Sequence, residues 1–263
     1  MLHLSQGLLN LFATCPRKFQ HIYLDQLNVP IASAQQKHFT WGNRFHLRMQ
    51  QQELGLRFNP IESEFDPADQ QIHELVDTFV QSVPELFQPH PTTCRQSEHQ
   101  RSLQFQGYWF TVIYDLLILD EQQAQILDWK TYPRPQKSDG LAHNWQTRLY
   151  PFVLAETSHY LPEQISMTYW FVQAKQGQTL KPECLKFSYS QSQHQQVYQE
   201  LADLLRQLTG YLQQYQAVNL PFPQVPSDAN CEACTFALRC QREPRRDRLG
   251  TIATLEEIPE VGL

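Results

Sequence analysis

The sequence predicts a layered α/β or α+β domain with a central sheet, and three observations carry that prediction. Apolar residues recur at helical spacing through the first third of the chain, switch to strand-like spacing from about Thr92 to Trp129, and return to helical spacing over Val197–Tyr215. Helices, then a meander of strands, then helix and strand, pack as layers of helix on sheet. Of the 263 residues, 41% are hydrophobic, 12% aromatic and only 18% charged, enough to build a real core and too apolar for a disordered chain.

The elements follow in order. Ser5 opens an apolar-periodic run (Leu8, Leu9, Phe12) that stops at Cys15-Pro16, a short first helix with a capping residue and a proline end. A second helix over Gln35–Leu54 sets Phe39, Gly42, Phe45, His46 and Met49 to one side. A third, over Pro67–Ser82, repeats Ile72, Leu75, Val76 and Phe79. Leu103 and Phe105, then Trp109–Leu119, then Ala124–Trp129 read as strands of an antiparallel meander, turning at Gln106-Gly107 and at Asp120–Gln123. Ile113–Leu119 is apolar on both parities, as in a strand covered on both faces. A helix over Leu141–Glu156, a strand over Gln164–Val172 and a short strand near Leu185–Tyr189 come next. A long amphipathic helix then carries Val197, Leu201, Leu204, Leu205, Leu208, Leu212 and Tyr215, and a proline-rich stretch (Pro221, Pro223, Pro226) leads to Cys231. No run approaches the ~18 apolar residues of a membrane helix, and Met1–Asn10 lacks signal-peptide character, so a cytoplasmic chain without a membrane partner is expected. A net charge of −6 argues against coating nucleic acid through a global basic field, leaving phosphate contacts local.

Chemistry concentrates at Tyr114-Asp115 and Leu127-Asp128-Trp129-Lys130. The midpoint of Asp115 and Asp128 falls between Glu121 and Gln122, the centre of the predicted turn, so a hairpin makes the two aspartates cross-strand neighbours. Strand alternation puts Asp128 and Lys130 on one face and Trp129 on the other. Two carboxylates so close in an apolar sheet repel and lose solvation, a conflict that a divalent cation resolves. Mg²⁺ or Mn²⁺ suits such oxygen ligands, and a neighbouring lysine can orient water toward phosphorus. The plainer alternative makes Asp115 a bend and Lys130 a solvated strand end. Gln146 and Tyr150 share a helix face, and His46 follows Gly42 by one turn; singly each also reads as an ordinary surface or core residue.

Taken together, Gly42-x-x-x-His46, Asp115, Asp128-Trp129-Lys130-Thr131 and Gln146-x-x-x-Tyr150 resemble the PD-(D/E)XK nuclease superfamily, in its RecB-like branch. The resemblance implies a restriction-endonuclease-like core: a central mixed sheet with an antiparallel meander, flanked by helices. It makes Asp115 and Asp128 metal ligands and Lys130 the catalytic lysine. His46 becomes an additional ligand, the Trp129 main-chain carbonyl a further one, and Gln146 and Tyr150 a helix motif along the DNA. Glu98 is a weaker match to an upstream glutamate. The implied activity is a metal-dependent DNA nuclease, an exonuclease on free single-stranded ends leaving a 5′-phosphate, in repair and recombination or in CRISPR adaptation. A non-catalytic DNA-binding or adaptor module of a larger repair complex is the alternative. No G-x-x-x-x-G-K-[ST] loop is present, so unwinding needs a helicase partner; CRISPR adaptation proteins are the other implied partners.

Cys231-x-x-Cys234-x5-Cys240 supplies three clustered thiols and lacks a fourth, for which Cys15, Cys94 and Cys184 are candidates. Cys15 is attractive because it ends the first helix, and joining it to Cys231 closes a loop worth about 5 kcal/mol against the unfolded chain. Thiolate count alone does not separate zinc from an iron–sulfur cluster. One cysteine before the nuclease motifs and three after them is similar to the AddB-type and CRISPR-associated Cas-four families, which implies a structural [4Fe–4S] cluster on Cys15, Cys231, Cys234 and Cys240, with structural Zn²⁺ as the alternative. On this reading residues 1–263 form a single nuclease domain, with 1–34 and 221–263 as a cysteine-cluster subregion stapling the termini. Arg17, Lys18, Arg242, Arg245, Arg246 and Arg248 beside the cysteines are candidates for local DNA-backbone contact, or a solvated charge run.

Overall fold

The structure is a computed structural model that describes residues 2–27, 33–56, 67–88, 90–173, 182–227 and 229–242. Arg245, Arg246 and Arg248 lie outside the described residues. Two compact units divide the chain, one of Met1–Pro30, Gln104–Phe110 and Val197–Leu263, the other of Ile31–Leu103 and Thr111–Gln196.

In the first unit, strand β1 (His3–Leu4) precedes helix α1 (Gln6–Thr14), whose Ser5 cap accepts the Leu8 N–H at 3.3 Å. The predicted proline end holds, but Pro16 also starts a new helix, α2 (Pro16–Phe19), because a residue without an N–H fits the first helical position. A π-helical turn over Gln20–Leu24 continues it. The long amphipathic helix spans Gln191–Val218 and buries Val197, Leu201, Leu205 and Leu208. The proline-rich stretch after it is anchored by Phe222, which is 1% exposed and packs among Phe12, Phe19, Tyr211 and Tyr215.

In the second unit, helices α3 (Ser33–Glu53), α4 (Pro67–Ser82) and α5 (Pro84–Phe87) precede strands β2 (Cys94–Phe105), β3 (Tyr108–Leu119) and β4 (Ala124–Lys130). Helices α6 (Asp139–His143) and α7 (Trp145–Glu156) lead to β5 (Ile165–Phe171) and β6 (Glu183–Ser188), and the long helix of the first unit becomes α8. β2 starts earlier than its apolar residues announce, because its polar side chains are engaged. Arg95 pairs with Glu53 and donates to the Leu86 carbonyl, and Arg101 donates to the Thr157 carbonyl. The helix predicted over Leu141–Glu156 is broken at Asn144, whose side chain caps α7 by accepting the Gln146 N–H at 2.8 Å.

β3 pairs with β2 and antiparallel with β4, β4 pairs parallel with β5, and β5 antiparallel with β6. In the first unit the start of β3 pairs parallel with β1. The result is a central mixed sheet with helices against it. Phe45 and Met49 of α3 and Ile72, Leu75, Val76 and Phe79 of α4 pack on Leu116, Ile118, Leu127 and Trp129 of one face. β4, with helices and strands on every side, is buried along nearly its whole length.

Candidate functional site

The β3–β4 hairpin sets the site. Asp120 Oδ1 accepts the N–H groups of Gln122 and Gln123 at 2.7 and 2.8 Å, closing the turn. The ladder runs from Leu119↔Ala124 to Leu116↔Leu127, and one further step in that register sets Asp115 across from Asp128. There the backbone pairing gives way to a side chain: Asp115 Oδ2 accepts the Trp129 N–H at 2.7 Å. The Trp129 indole, on the other face, is buried against Phe79 and Phe87. Asp115 and Asp128 are 8% and 2% exposed, so both carboxylates need partners.

Their partners differ. Among the described residues, His46, Glu98 and Asp115 each offer a ligand atom within 4.8 Å of the others, with His46 Nδ1 3.3 Å from Asp115 Oδ1. Asp128 instead closes a ring with Lys130 and Gln146. Lys130 Nζ lies 2.9 Å from Asp128 Oδ2 and donates to Gln146 Oε1 at 3.2 Å, while Gln146 Nε2 donates to Asp128 Oδ1 at 2.6 Å. The sequence reading centres a cation on Asp115 and Asp128 with His46; the folded chain gathers Glu98 into that group and gives Asp128 to the lysine. Trp129 contributes its N–H, to Asp115.

Glu98 reaches the group through an unusual backbone. Its φ of +48° is left-handed, a conformation that costs a non-glycine residue about 1–3 kcal/mol and, inside a strand, breaks the regular alternation of the side chains. Burial, and then the Asp115 charge, push its carboxyl up to about 7, with His46 opposing. A signal for Glu98 was present in the sequence: the midpoint of Glu98 and Asp115 falls between Gln106 and Gly107, the turn of the β2–β3 hairpin. Ser102 Oγ, 3.3 Å from Thr111 Oγ1, lies in the same symmetric pairing. Asp115 is thus the shared centre of two hairpins.

Gln146 and Tyr150 lie one turn apart on α7, as predicted. Gln146 bridges acid and lysine. Tyr150 is 4% exposed, its ring edge-on to Tyr114, and burial followed by the Asp128 and Asp115 charges raises its phenol far above the usual range.

In the first unit, Cys15, Cys231, Cys234 and Cys240 line one cavity of about 40 Å³, and none is in a disulfide. The segment that returns to Cys15 is pinned by backbone atoms. Gln20 Oε1 accepts the Phe222 N–H at 2.8 Å, Arg17 Nε donates to the Phe222 carbonyl, and the Arg17 N–H to the Pro223 carbonyl. Arg17 therefore braces the fold, while half-buried Lys18 lines the cavity. Burial raises the Cys240 thiol; Arg17 opposes this and the other three thiols add to it. Behind Cys240, buried His21 sets Nε2 3.9 Å from Sγ, and its Nδ1 is 3.0 Å from Asp25 Oδ2. Sequence reasoning did not single out His21. Cys94 and Cys184 are exposed, in no disulfide, and not among the residues that line this cavity.

A search of solved structures aligns 95% of this chain with 94% of a protein from Eubacterium rectale named "Putative exonuclease", at 11% identity and a TM-score of 0.55, a likeness of fold. The structure of SSO0001 aligns over 91% of this chain and 86% of its own at 10% identity, with a TM-score of 0.36. No curated protein matches the sequence. The family model of the PD-(D/E)XK nuclease superfamily, however, matches residues 3–241, the span that holds the paired hairpins, the buried lysine and the four thiols. On that match, over nearly all of its described length, the chain belongs to the PD-(D/E)XK nuclease superfamily.

Proposed function

We propose that this nuclease-superfamily chain is a divalent-metal-dependent deoxyribonuclease, an exonuclease acting on DNA with a free single-stranded end. His46, Glu98 and Asp115 would hold Mg²⁺ or Mn²⁺, with Asp128 and the Trp129 main-chain carbonyl as further ligands. The donor set fits such an ion: two carboxylates and an imidazole converge where burial, and then the Asp115 charge, push the Glu98 carboxyl up to about 7, a cost that a cation would relieve. When bound, the cation stabilises charge on the phosphate and lowers the pKa of an attacking water.

The chain's own residues do the rest. Asp128 and Gln146 fix the Lys130 ammonium at 2.9 and 3.2 Å, so it can orient water and meet negative charge developing on phosphorus without reorganising. Gln146 acts by positioning, since it touches both acid and lysine. Tyr150 supports the same helix face, and Lys18 is offered for a local phosphate contact. One observation carries the reading: three ligand groups converge within 4.8 Å around the same Asp115 that pins the strand bearing Asp128 and Lys130. Purified protein with end-labelled single-stranded DNA and Mn²⁺ tests it, beside Asp115→Asn and Lys130→Met. Loss of about 10²-fold or more in both variants is expected. Equal degradation by all three proteins sinks the proposal, and binding without turnover in any metal favours the adaptor reading.

We infer further that Cys15, Cys231, Cys234 and Cys240 hold a structural [4Fe–4S] cluster. The four thiols share a cavity, and their order, one before the nuclease motifs and three after them, supports this reading. Zinc on the same thiols is the rival. Iron and acid-labile sulfide after anaerobic purification support this reading; stoichiometric zinc without sulfide ends it. Work on DNA ends in repair, recombination or CRISPR adaptation, with a separate helicase, completes the proposal.

A further inference from the structure

A second cavity lies in the unit that carries the acidic site, between α3 and the ends of β4 and β5. It has a volume of about 310 Å³, at the lower end of the ~300–1,000 Å³ of small-molecule pockets, and its lining includes Lys37, His38, Trp41, Thr131 and Gln173. Its composition is unlike a core void. Lys37 and His38 are exposed cationic or polar groups, and Gln173 and Thr131 add an amide and a hydroxyl. Trp41 is half-buried: it packs on the apolar cluster of α4 and the sheet and also lines the cavity, so the core supports a ring that remains open to it.

Position matters as much as composition. Thr131, which lines the cavity, directly follows Lys130 in the chain. Trp41 and His46 lie five residues apart on α3, about 7.5 Å along the helix axis and about 140° around it. Gly42, between them, faces Thr131: a Cβ there would sit 3.8 Å from Thr131 Oγ1, an ordinary van der Waals contact. An indole held by packing, a lysine one turn before it on the same helix, and a polar edge opposite form the combination that grips single-stranded nucleic acid, with the base stacked on the ring and the phosphate near the cation.

We propose that this cavity is a nucleobase subsite for the single-stranded DNA substrate, in which a base away from the scissile phosphate stacks on Trp41 and Lys37 meets the adjoining phosphate. The proposal rests on the nuclease reading for its substrate and goes beyond it by assigning where an unreacted nucleotide is held.

Binding of the full-length protein to fluorescein-labelled oligothymidylate in EDTA, read by anisotropy, separates this subsite from the chemistry. A series of oligonucleotides with a single abasic position, stepped inward from the end, is compared with the unmodified strand. Stacking on an aromatic side chain predicts a loss of roughly 5- to 100-fold at one or two positions of the series. Trp41→Ala loses that positional dependence, Trp41→Phe keeps most of it with core packing retained, and Lys37→Ala weakens all strands alike with a shallower salt dependence. A wild-type protein indifferent to every abasic position, or a Trp41→Ala protein as position-sensitive as wild type, overturns the subsite; no binding to single-stranded DNA overturns it too. Lys130→Met must retain the abasic pattern. A protein that shows the pattern but never cuts refutes the nuclease reading and leaves the subsite standing, while cutting without the pattern does the reverse.

Discussion

The acidic site and the cysteine cavity are built on opposite principles. Around Asp115 local backbone geometry places most of the functional groups: the register of the β3–β4 hairpin sets Asp115 beside Asp128, a left-handed residue in β2 brings Glu98, and helices α3 and α7 add His46 and Gln146. Around the cysteines the groups sit on turns and helix ends far apart in the chain, brought together because Phe222 is buried among Phe12, Phe19, Tyr211 and Tyr215. A register-built site is preorganised by backbone hydrogen bonds before anything binds it. A cavity assembled from turns leaves more of its order to the group it would hold, because a bridge between remote segments acts on the entropy of the unfolded chain.

The largest effect that could break this contrast comes from the thiols. On the proposed cluster, Cys15→Ser should lower stability by about 5 kcal/mol, the value of closing so long a loop, and abolish the iron content that reading requires. Hydrogen exchange should then show protection lost in α1, α2 and residues 229–242 while β3, β4 and β5 stay protected. Uniform loss across both units would mean that the acidic site is not independently ordered.

Next in size is the buried ring. Lys130→Met leaves the Asp128 carboxylate, 2% exposed, without its cation, and should cost about 3–5 kcal/mol in denaturant unfolding. Adding Asp128→Asn should recover much of that stability without restoring cleavage. A double variant no more stable than the single one would show that packing, not the charge pair, is at stake.

Smaller still is the turn that sets the register. Asp120→Ala removes the acceptor for two backbone N–H groups and should destabilise by about 1 kcal/mol, with a reduced yield of DNA cleavage if the hairpin frays. No change in unfolding midpoint would assign the register to packing alone.

The last effect is the one with a sign. Burial and the Asp115 charge raise the Glu98 carboxyl from 4.5 to about 7, so the folded protein binds a proton that the unfolded chain gives up between those values. Without metal, stability is undiminished below about 4.5 and declines as pH rises toward 7. Glu98→Gln removes that penalty: in chelator its melting temperature should exceed wild type at pH 8 and match it at pH 4. Mn²⁺ should reverse the order at pH 8 by stabilising only the wild type. An unchanged difference across pH would place the strain in the backbone at φ +48° instead of in the charge.

Much of this was legible along the chain, for reasons specific to particular residues. Asp115 and Asp128 could be paired on paper because the polar turn Asp120–Gln123 marks a short hairpin, and hairpin register follows from turn position. The same symmetry about Gln106-Gly107 pointed to Glu98, but β2 carries few apolar residues before Leu103, so a strand reaching back to Cys94 left little hydrophobic trace. Asn144 hid a helix break because its capping role depends on the conformation it adopts. The parallel pairing of β4 with β5 and the placement of Trp41 beside Thr131 left no sequence pattern, since the partners are separated by whole elements.

By itself, then, the sequence determined its helices, its hairpins, the facing of Asp115 and Asp128 and the group of thiols after Leu220, all set by local periodicity and turn chemistry. Tertiary structure decided how Glu98 reaches His46 and Asp115, that Asp128 belongs to Lys130 and Gln146, and that Cys15, not Cys94 or Cys184, lines the cavity with the other three thiols. Those outcomes depend on which buried charges find partners and which remote apolar faces share a core, and such terms take a value only once the chain has closed on itself.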